Sequence, residues 1–306
     1  ARDAELVEET EQQVRSDVLT ESYGDNSIAV LPFVNMSSDP EQEYFSDGLS
    51  DTLIHVLAQA SELRVTAKTS SFYFKGKDAD LQEIANKLNV DNILEGSVQK
   101  SGNRVRITAQ LIEAHSNTYL WSKKFDRDLG DIFTIQDEIA REVMAALEVT
   151  LLDTEEDRMV QRFQPTLEAY EQLILGRHEM AARTADSLTI AEQHFRRAIE
   201  LDPVYALAYV GLAKTLRLQL DYGGLVLEES IELRQPLIDK ALDLDPLSGE
   251  AQIESAFLDY NRRLNTGEDV PRKWEEVVLA TLQQSPNNAE VHRWYSGLLT
   301  ERSRFE

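Results

Sequence analysis

Residues 93–128 read ILEGSVQKSGNRVRITAQLIEAHSNTYLWSKKFDRD, and this stretch decides the fold of the first half of the chain. From Val105 to Leu111 every second residue is apolar and the others are polar, which is the period of a strand with one buried face. Turn-forming residues at 101–103 and 115–118 divide the stretch, so the pattern predicts three antiparallel strands. The many charges then belong to the solvated side of a sheet whose other side meets helices, and they need no functional explanation.

We call the three predicted strands of residues 93–128 the ribbon. Before and after it in the sequence, strand and helix patterns alternate. Residues 27–35 (SIAVLPFVN) predict a buried strand, in which Pro32 either ends the strand or leaves one side unpaired. A helix is predicted to start after Asp39, an N-cap residue followed by proline, and a second long helix after the cap residue Asp131. The shorter runs LRVTA and DLQEIANKLNV predict one more strand and one more helix. Residues 27–155 are therefore expected to form an α+β domain, a mixed sheet with helices on one face.

The composition limits both the partners and the chemistry of the chain. Its 306 residues, enough for roughly two domains, carry 31 Lys and Arg against 55 Asp and Glu, and the net charge of −24 is spread over the whole chain. Because Lys and Arg supply most of the affinity for phosphate groups, nucleic acid and anionic membranes are poor partners for this segment. The absence of cysteine excludes thiol nucleophiles, iron–sulfur clusters and Cys-based zinc sites. No apolar run approaches about 18 residues, so membrane attachment is expected only through a helix outside the segment.

The two ends of the sequence suggest a piece of a longer protein. Residues 1–26 are acidic with a thin apolar stripe, and they predict a lead-in helix or linker. The sequence does not begin with Met, and its last residues, AEVHRWYSGLLTERSRFE, have the pattern of the first helix of an unfinished repeat. A terminal repeat needs a polar cap, so the natural protein is expected to continue past Glu306.

From residue 160 to residue 306 the pattern is helical only, and it repeats. LDP occurs at 201–203 and at 244–246, and QSP at 284–286, in each case after an amphipathic helix that the proline ends. Self-similarity over a few tens of residues is typical of stacked helical hairpins. An all-α repeat domain is therefore predicted, with its last repeat incomplete.

These repeats resemble tetratricopeptide repeats. The spacing of Ala191, Phe195 and Ala198 matches the small–large–small part of that family's second helix, a proline follows at the expected distance, and upstream glycines match the small residue of its first helix. The residues that carry the resemblance are Gly176, Ala191, Phe195, Ala198, Pro203, Gly211, Ala241, Pro246 and Pro286. The resemblance implies a concave groove for a protein or peptide partner, and the acidic composition favours a basic one. The run LQLDYGGLVLEES is expected to be a loop insertion.

Residues 27–54, 63–77 and 88–140 resemble the amino-terminal domain of TolB, which is related in fold to the FlgO-like domain. In bacterial proteins such domains commonly precede tetratricopeptide repeats and form the sensory or interaction half of a larger chain. The other end often carries a winged helix, a class III adenylate cyclase or a kinase, frequently across a membrane helix. The resemblance thus implies a periplasmic location as part of a single-pass inner-membrane protein, with a cytoplasmic location as the alternative.

The sequence predicts no catalytic residue, no cofactor and no metal site. The five His are scattered, and no three ligands converge on a metal site. The run DRDLGDIFTIQD (126–137) has Asp at some calcium-loop positions, yet Asp131 stands where the loop needs glycine and is better explained as a helix cap. Asp47 and Asp51, one helical turn apart, have the spacing of a carboxylate pair for acid–base work, but such residues more often face water near the helix start.

Phe72, Tyr73 and Phe74 are the candidate interaction residues. Three successive aromatic side chains cannot all face one core, so at least one is expected to be exposed or to pack on another domain. Core packing with an interdomain contact and a docking site for a ligand or partner both explain such a cluster.

The leading functional hypothesis is a non-catalytic sensory or adaptor fragment that mediates protein–protein or ligand interaction. It would serve a larger bacterial signalling protein of the adenylate cyclase or transcriptional regulator type. The alternatives are a periplasmic assembly scaffold without a signalling role and an enzyme with a site between the domains. Self-association into an oligomer is compatible with each of them.

Overall fold

The computed structural model describes residues 26–77, 79–152 and 163–266, together with Leu279. The chain divides into two compact units, Ala1–Gln161 and Arg162–Glu306. The predicted lead-in segment before Asn26, the residue Pro286 and the unfinished last repeat lie outside the described residues. A mixed sheet with helices in the first unit and a helical pattern over residues 163–266 are confirmed.

The first unit is built on a six-stranded mixed sheet. Its strands are β1 (Ser27–Val30), β2 (Val34–Asn35), β3 (Arg64–Val65), β4 (Asn92–Ser101), β5 (Arg104–Glu113) and β6 (Thr118–Asp128). They lie in the order β3-β1-β4-β5-β6, and β2 pairs with β4 beyond the end of β1. β1 is parallel to both of its neighbours, whereas β4, β5 and β6 are the three antiparallel strands that the alternating ribbon predicts.

Helices cover both faces of this sheet, but unequally. The helices are α1 (Glu43–Leu57), α2 (Lys68–Phe72), α3 (Leu81–Leu88) and α4 (Ile132–Ala146). α1 and α4 pack together, and α4 lies on the apolar face of β5 and β6. On the opposite face, Ile84 and Ala85 of α3 pack with Ala29 of β1 and Ile93 of β4. The prediction of helices on one face was therefore wrong at this end of the sheet, because the parallel strand β1 is buried on both sides.

Pro32 interrupts the pairing of the first strand with β4. β1 ends two residues before the proline, which has no N–H to donate, and β2 resumes the same parallel pairing two residues after it. Between the two strands, the backbone N–H of Phe33 donates to Ser50 Oγ of α1 at 2.9 Å. The Phe33 ring lies on Gly96 of β4, where an added Cβ would come within 2.5 Å of a ring carbon. Glycine is thus the residue that lets this ring reach the sheet.

The two predicted helix starts differ in outcome. Asp39 accepts a hydrogen bond from the Glu41 N–H at 2.9 Å and caps a 3₁₀ turn, Pro40–Gln42, that leads into α1. Asp131 stands at the N-cap position of α4, but its side chain makes no capping hydrogen bond. It is the last residue of another 3₁₀ turn, with φ −85° and ψ 6°, whereas a capping side chain needs an extended backbone. The predicted role of Asp131 as a cap was wrong.

Residues 163–266 form five helices that pack in sequence. They are α5 (Leu167–Ala181), α6 (Ala185–Leu201), α7 (Ala206–Tyr222), α8 (Leu227–Leu244) and α9 (Gly249–Thr266). Each helix contacts the next, and α7 also contacts both α5 and α9. The predicted loop insertion was wrong, since only residues 223–226 separate α7 from α8. The residues of this run lengthen the two helices instead: 218–222 belong to α7, where Leu218 is buried, and 227–230 belong to α8.

Phe195 of α6 is the centre of this helical unit. Its side chain is fully buried, and its ring lies against Gly176 of α5 and Gly211 of α7. A Cβ added at Gly176 would lie 2.9 Å from the ring, and one added at Gly211 would lie 2.3 Å from it. Ala191 and Ala198, on the same buried side of α6, have no exposed surface. The small–large–small spacing in the sequence therefore brings three helices together around one ring.

The remaining signature residues take part in packing or end a helix. Ala241 is buried in a cluster with Val210 and Ala251. Pro203 and Pro246 are exposed and lie two residues after the last residues of α6 and α8. These placements fit stacked hairpins, while the tetratricopeptide arrangement itself stays a prediction.

Replacement of Phe195 by alanine is expected to destabilise the helical unit by about 3–5 kcal/mol, because it removes a buried ring and leaves a cavity between three helices. Chemical denaturation of both proteins measures this difference in the free energy of unfolding. Ile190→Ala is the matched control, since Ile190 lies on the same helix and is 42% exposed. A loss below about 1 kcal/mol for Phe195→Ala would mean that the assigned register is wrong.

Candidate interaction surface

The three candidate aromatic residues are divided between core and solvent. Phe74 is buried in the cluster that joins α3 to the sheet. Phe72 is half-buried, with the ammonium of Lys68 5.1 Å from its ring centre. Tyr73 is 61% exposed. The expectation that they cannot all face one core is confirmed, and their role in binding stays a prediction.

The exposed ring of Tyr73 has the ammonium group of Lys77 over one face. The Lys77 Nζ lies 2.9 Å from the centre of this ring, and Phe74 meets the ring edge to face at a centroid distance of 5.3 Å. Hydrogen bonding and charge from Lys77, with a further contribution from the charge of Lys87, lower the pKa of the Tyr73 hydroxyl. We call residues 68–77 the aromatic turn.

Acidic residues of α1 hold the aromatic turn in place. Glu43, Asp47 and Asp51 follow one another at one-turn intervals along α1. Lys75 Nζ lies 2.7 Å from Glu43 Oε1 and 2.6 Å from Asp47 Oδ2, and Lys68 Nζ lies 3.1 Å from Asp51 Oδ2. The side chains of Asp47 and Asp51 are only 16% and 14% exposed. The prediction that these two carboxylates face water was wrong, because the lysines of the following segment return over the helix.

The open face of the sheet carries an ion-pair network. Asp126 of β6 accepts from Arg104 and from Arg106 of β5, each at 2.6 Å. Hydrogen bonds from Arg106 and then from Arg104 lower the pKa of the Asp126 carboxyl. Asp126 and Asp128 thus belong to a strand rather than to a calcium loop. Within the described ranges, no group of three or more His, Asp or Glu is arranged to hold a metal ion.

On the other side of β6, side chains form hydrogen bonds and ion pairs with α4. Trp121 Nε1 donates to Glu142 Oε2 at 2.8 Å, and Lys123 Nζ lies 2.6 Å from Glu142 Oε1. Arg127 donates to both oxygens of Glu138, at 2.8 and 3.0 Å. The hydrogen bond from Lys123 lowers the pKa of the Glu142 carboxyl. Charged residues on both faces of β6 therefore form ion pairs with neighbouring elements. The sequence predicts a structural role for the charges on the solvated face only.

The central helix of the second unit offers little surface for the predicted groove. In a stack of hairpins the groove would follow α5, α7 and α9, which contact one another. Along α7, the residues before Asp221 are buried or half-buried. Arg177 of α5 also reaches Glu250 of α9, with Nη2 3.3 Å from Oε1. The groove stays a prediction, and its exposed side chains have to come largely from the flanking helices.

One charged cluster was not predicted from the sequence. Arg217, Arg234 and Glu254 are buried together between α7, α8 and α9. Their positions interrupt otherwise apolar stripes, and an amphipathic pattern assigns charged residues to the solvent side. The available signal was the run TLRLQL, in which Arg217 stands between leucines of a buried helix.

Comparisons with known proteins connect the chain with regulators and with a cyclase. Residues 24–142 match a family described as HilA/YgeH-like transcriptional regulator, second domain. A protein of Rhizobium meliloti (strain 1021) named "Putative adenylate cyclase 3" is 43% identical over 187 residues, which make up 61% of this chain and 32% of that protein. The chain therefore spans about a third of the length of this curated relative.

Three solved structures show partial similarity. TolB from Acinetobacter baumannii has a TM-score of 0.32 and 14% identity, over 43% of this chain and 30% of that one. Lipoprotein GNA1162 from Neisseria meningitidis has a TM-score of 0.31 and 18% identity, over 40% of this chain and 99% of that one. The LpoB C-terminal domain from Salmonella enterica has a TM-score of 0.29 and 15% identity, over 37% and 92%. None of the helices in the described ranges has the length and apolar content needed to cross a membrane.

Lys75→Met is expected to loosen the aromatic turn, because it removes the cation that both Glu43 and Asp47 hold. Partly exposed pairs of this kind are worth about 1 kcal/mol, so amide hydrogen exchange in residues 68–77 should become roughly fivefold faster. Lys124→Met, on the exposed side of β6, is the matched control and should leave this exchange rate unchanged. Equal rates in Lys75→Met and the unaltered protein would show that the ion pairs do not hold the turn.

Proposed function

We propose that this chain is the non-catalytic sensory or adaptor part of a larger bacterial signalling protein, of the adenylate cyclase or transcriptional regulator type. The observation that carries the proposal is its 43% identity over 187 residues to the Rhizobium meliloti protein named as an adenylate cyclase, of which it spans 32%. A segment of this size leaves room for a separate catalytic part in such a protein. The match of residues 24–142 to the second domain of a regulator family supports a role beside an effector.

The chemistry of the described side chains supports contacts rather than catalysis. Asp47 and Asp51, the carboxylates with acid–base spacing, are held by lysines. Burial lowers the pKa of His194, which donates from Nδ1 to Gln172 Oε1 at 2.8 Å when that nitrogen carries the proton. Each of these groups has a structural partner within its own unit.

The partner in this proposal is a protein or peptide. Exposed tyrosine is enriched in the central contacts of protein interfaces, and Tyr73 is such a residue on a turn that ion pairs hold in place. The helical unit would supply a second contact, and the net charge of −24 favours partners with basic segments.

The proposal includes a periplasmic location, which rests on the resemblance to TolB-like domains of single-pass inner-membrane proteins. Alkaline phosphatase fused behind the chain in the full-length gene should be active, and a green fluorescent protein fused there should be dark. The reverse pattern would place the chain in the cytoplasm and would leave the sensory role open to the next experiment.

The functional test uses the full-length gene that contains this chain, in a strain without its own adenylate cyclase. The gene should raise cellular cyclic AMP, whereas the purified 306-residue chain should form none from ATP in the presence of Mg²⁺ or Mn²⁺. Removal of the chain from the full-length protein should change cyclic AMP several-fold in cells. Product formation by the chain alone would refute the non-catalytic role.

Two exposed tyrosines give a matched pair of variants for the same assay. Tyr73→Ala should reproduce the effect of removing the chain, whereas Tyr119→Ala should not, although Tyr119 is 58% exposed. Equal cyclic AMP levels for the intact protein, the deletion and Tyr73→Ala would show that the chain does not control the effector.

A further inference from the structure

One carboxylate of the sheet has no ion-pair or hydrogen-bond partner among the described residues. Glu95 of β4 stands two residues after Ile93, which α3 covers, so it lies on the same face of the sheet, opposite α4. It is half-buried, and the side chain across from it on β5 is the neutral Gln110. Burial raises the pKa of the Glu95 carboxyl, and no described charge or donor lowers it. The carboxylate is not enclosed by the protein, so another molecule can reach it.

Two exposed apolar side chains lie on the same face as Glu95. In the pairing of β2 with β4, Val34 lies next to Ser97, and the Met36 N–H donates to the Val98 carbonyl oxygen at 2.7 Å. Side chains two residues apart along an extended chain share a face, so Val34 and Met36 stand on the face that carries Ser97 and Glu95. Val34 is 58% exposed and Met36 is 60% exposed. We call Val34, Met36 and Glu95 the β2 patch.

The acid and the apolar residues together describe an incomplete contact. Single exposed apolar residues are common on protein surfaces. A carboxylate that loses water without gaining a cation or a donor, however, costs free energy. The arginines of this face, Arg104 and Arg106, bind Asp126 instead. A cation from another molecule would offset the cost at Glu95, and apolar groups beside that cation would cover the rest of the β2 patch.

We infer that the β2 patch binds a segment of a partner protein in which Lys or Arg is flanked by apolar side chains. The cation pairs with Glu95, where partial burial makes the attraction stronger than on an open surface. The net charge of −24 attracts such a segment from a distance. The inference deepens the proposed function by naming the chemistry of the partner, and it rests on that proposal only in taking the partner to be a protein.

The test selects peptides from a phage-displayed library of random dodecapeptides on the purified 306-residue chain. Enriched peptides should carry Lys or Arg flanked by apolar residues. The same peptides, synthesised with a fluorescent label, should bind Glu95→Gln with a Kd raised at least about tenfold in anisotropy titrations. Asp128→Asn is the matched control, because it removes the same charge from the same face at a side chain that is 63% exposed, and it should change the Kd less than about twofold.

A second pair of variants tests the apolar part of the β2 patch. Met36→Ser should weaken binding of the selected peptides severalfold, because it removes apolar surface that the peptide covers. Leu120→Ser, at a residue of β6 that is 42% exposed, should leave the Kd unchanged. Both substitutions are at exposed positions, so the folded state should be retained.

The thermal midpoint of Glu95→Gln separates a binding role from a structural one. The midpoint should stay the same or rise, because the substitution removes a half-buried charge that has no partner to lose. A lower midpoint would show that the carboxylate stabilises the protein itself, and it would overturn the inference. So would a selection without enriched Lys or Arg, or peptides that bind Glu95→Gln and the unaltered chain equally. Binding is measured on the purified chain, so a failed cyclic AMP assay would refute the proposed function and leave this result standing.

Discussion

In both units the packing of the elements depends on the contact between an aromatic ring and a glycine. In the sheet, Phe33 lies on Gly96 at the point where Pro32 has interrupted the first strand. In the helical unit, Phe195 lies between Gly176 and Gly211. A Cβ at Gly176 or Gly211 would collide with the Phe195 ring, and one at Gly96 would collide with both the Phe33 ring and the backbone oxygen of Thr108, so the absence of a side chain sets the distance between the elements. The helices and strands around each ring can then bury their apolar stripes.

Charge plays a different part, because several ionic groups in the described regions are paired within local networks. Asp126 binds two arginines across the open face of the sheet, and the carboxylates of α1 bind the lysines of the aromatic turn. These pairs fix orientation more than they add stability. Tyr73, which follows the ion-paired helix of the aromatic turn, is 61% exposed.

Periodic features could be predicted from the sequence, and contacts between distant segments could not. The alternation from Val105 to Leu111 predicts the three-stranded ribbon, because apolar residues at every second position are typical of a strand with one buried face. Asp47 shows the limit, since its partner Lys75 is brought to it only by the path of the intervening chain. Arg217 shows another, because a charged residue in an amphipathic stripe is assigned to solvent unless its buried partners are known. The helix Leu81–Leu88 was predicted, but the face of the sheet that it covers was not, because that face depends on contacts between distant segments.

A double-mutant cycle on Gly211 and Phe195 tests most directly whether the ring–glycine contact sets the packing. Gly211→Ala alone should destabilise the chain by about 1–3 kcal/mol, because the added methyl group collides with the ring. In the Phe195→Ala background the same change should cost nothing or stabilise, since the cavity accepts the methyl group and alanine favours the helix. The expected coupling energy is therefore about 1–3 kcal/mol. Effects that add to within about 0.5 kcal/mol would contradict the account.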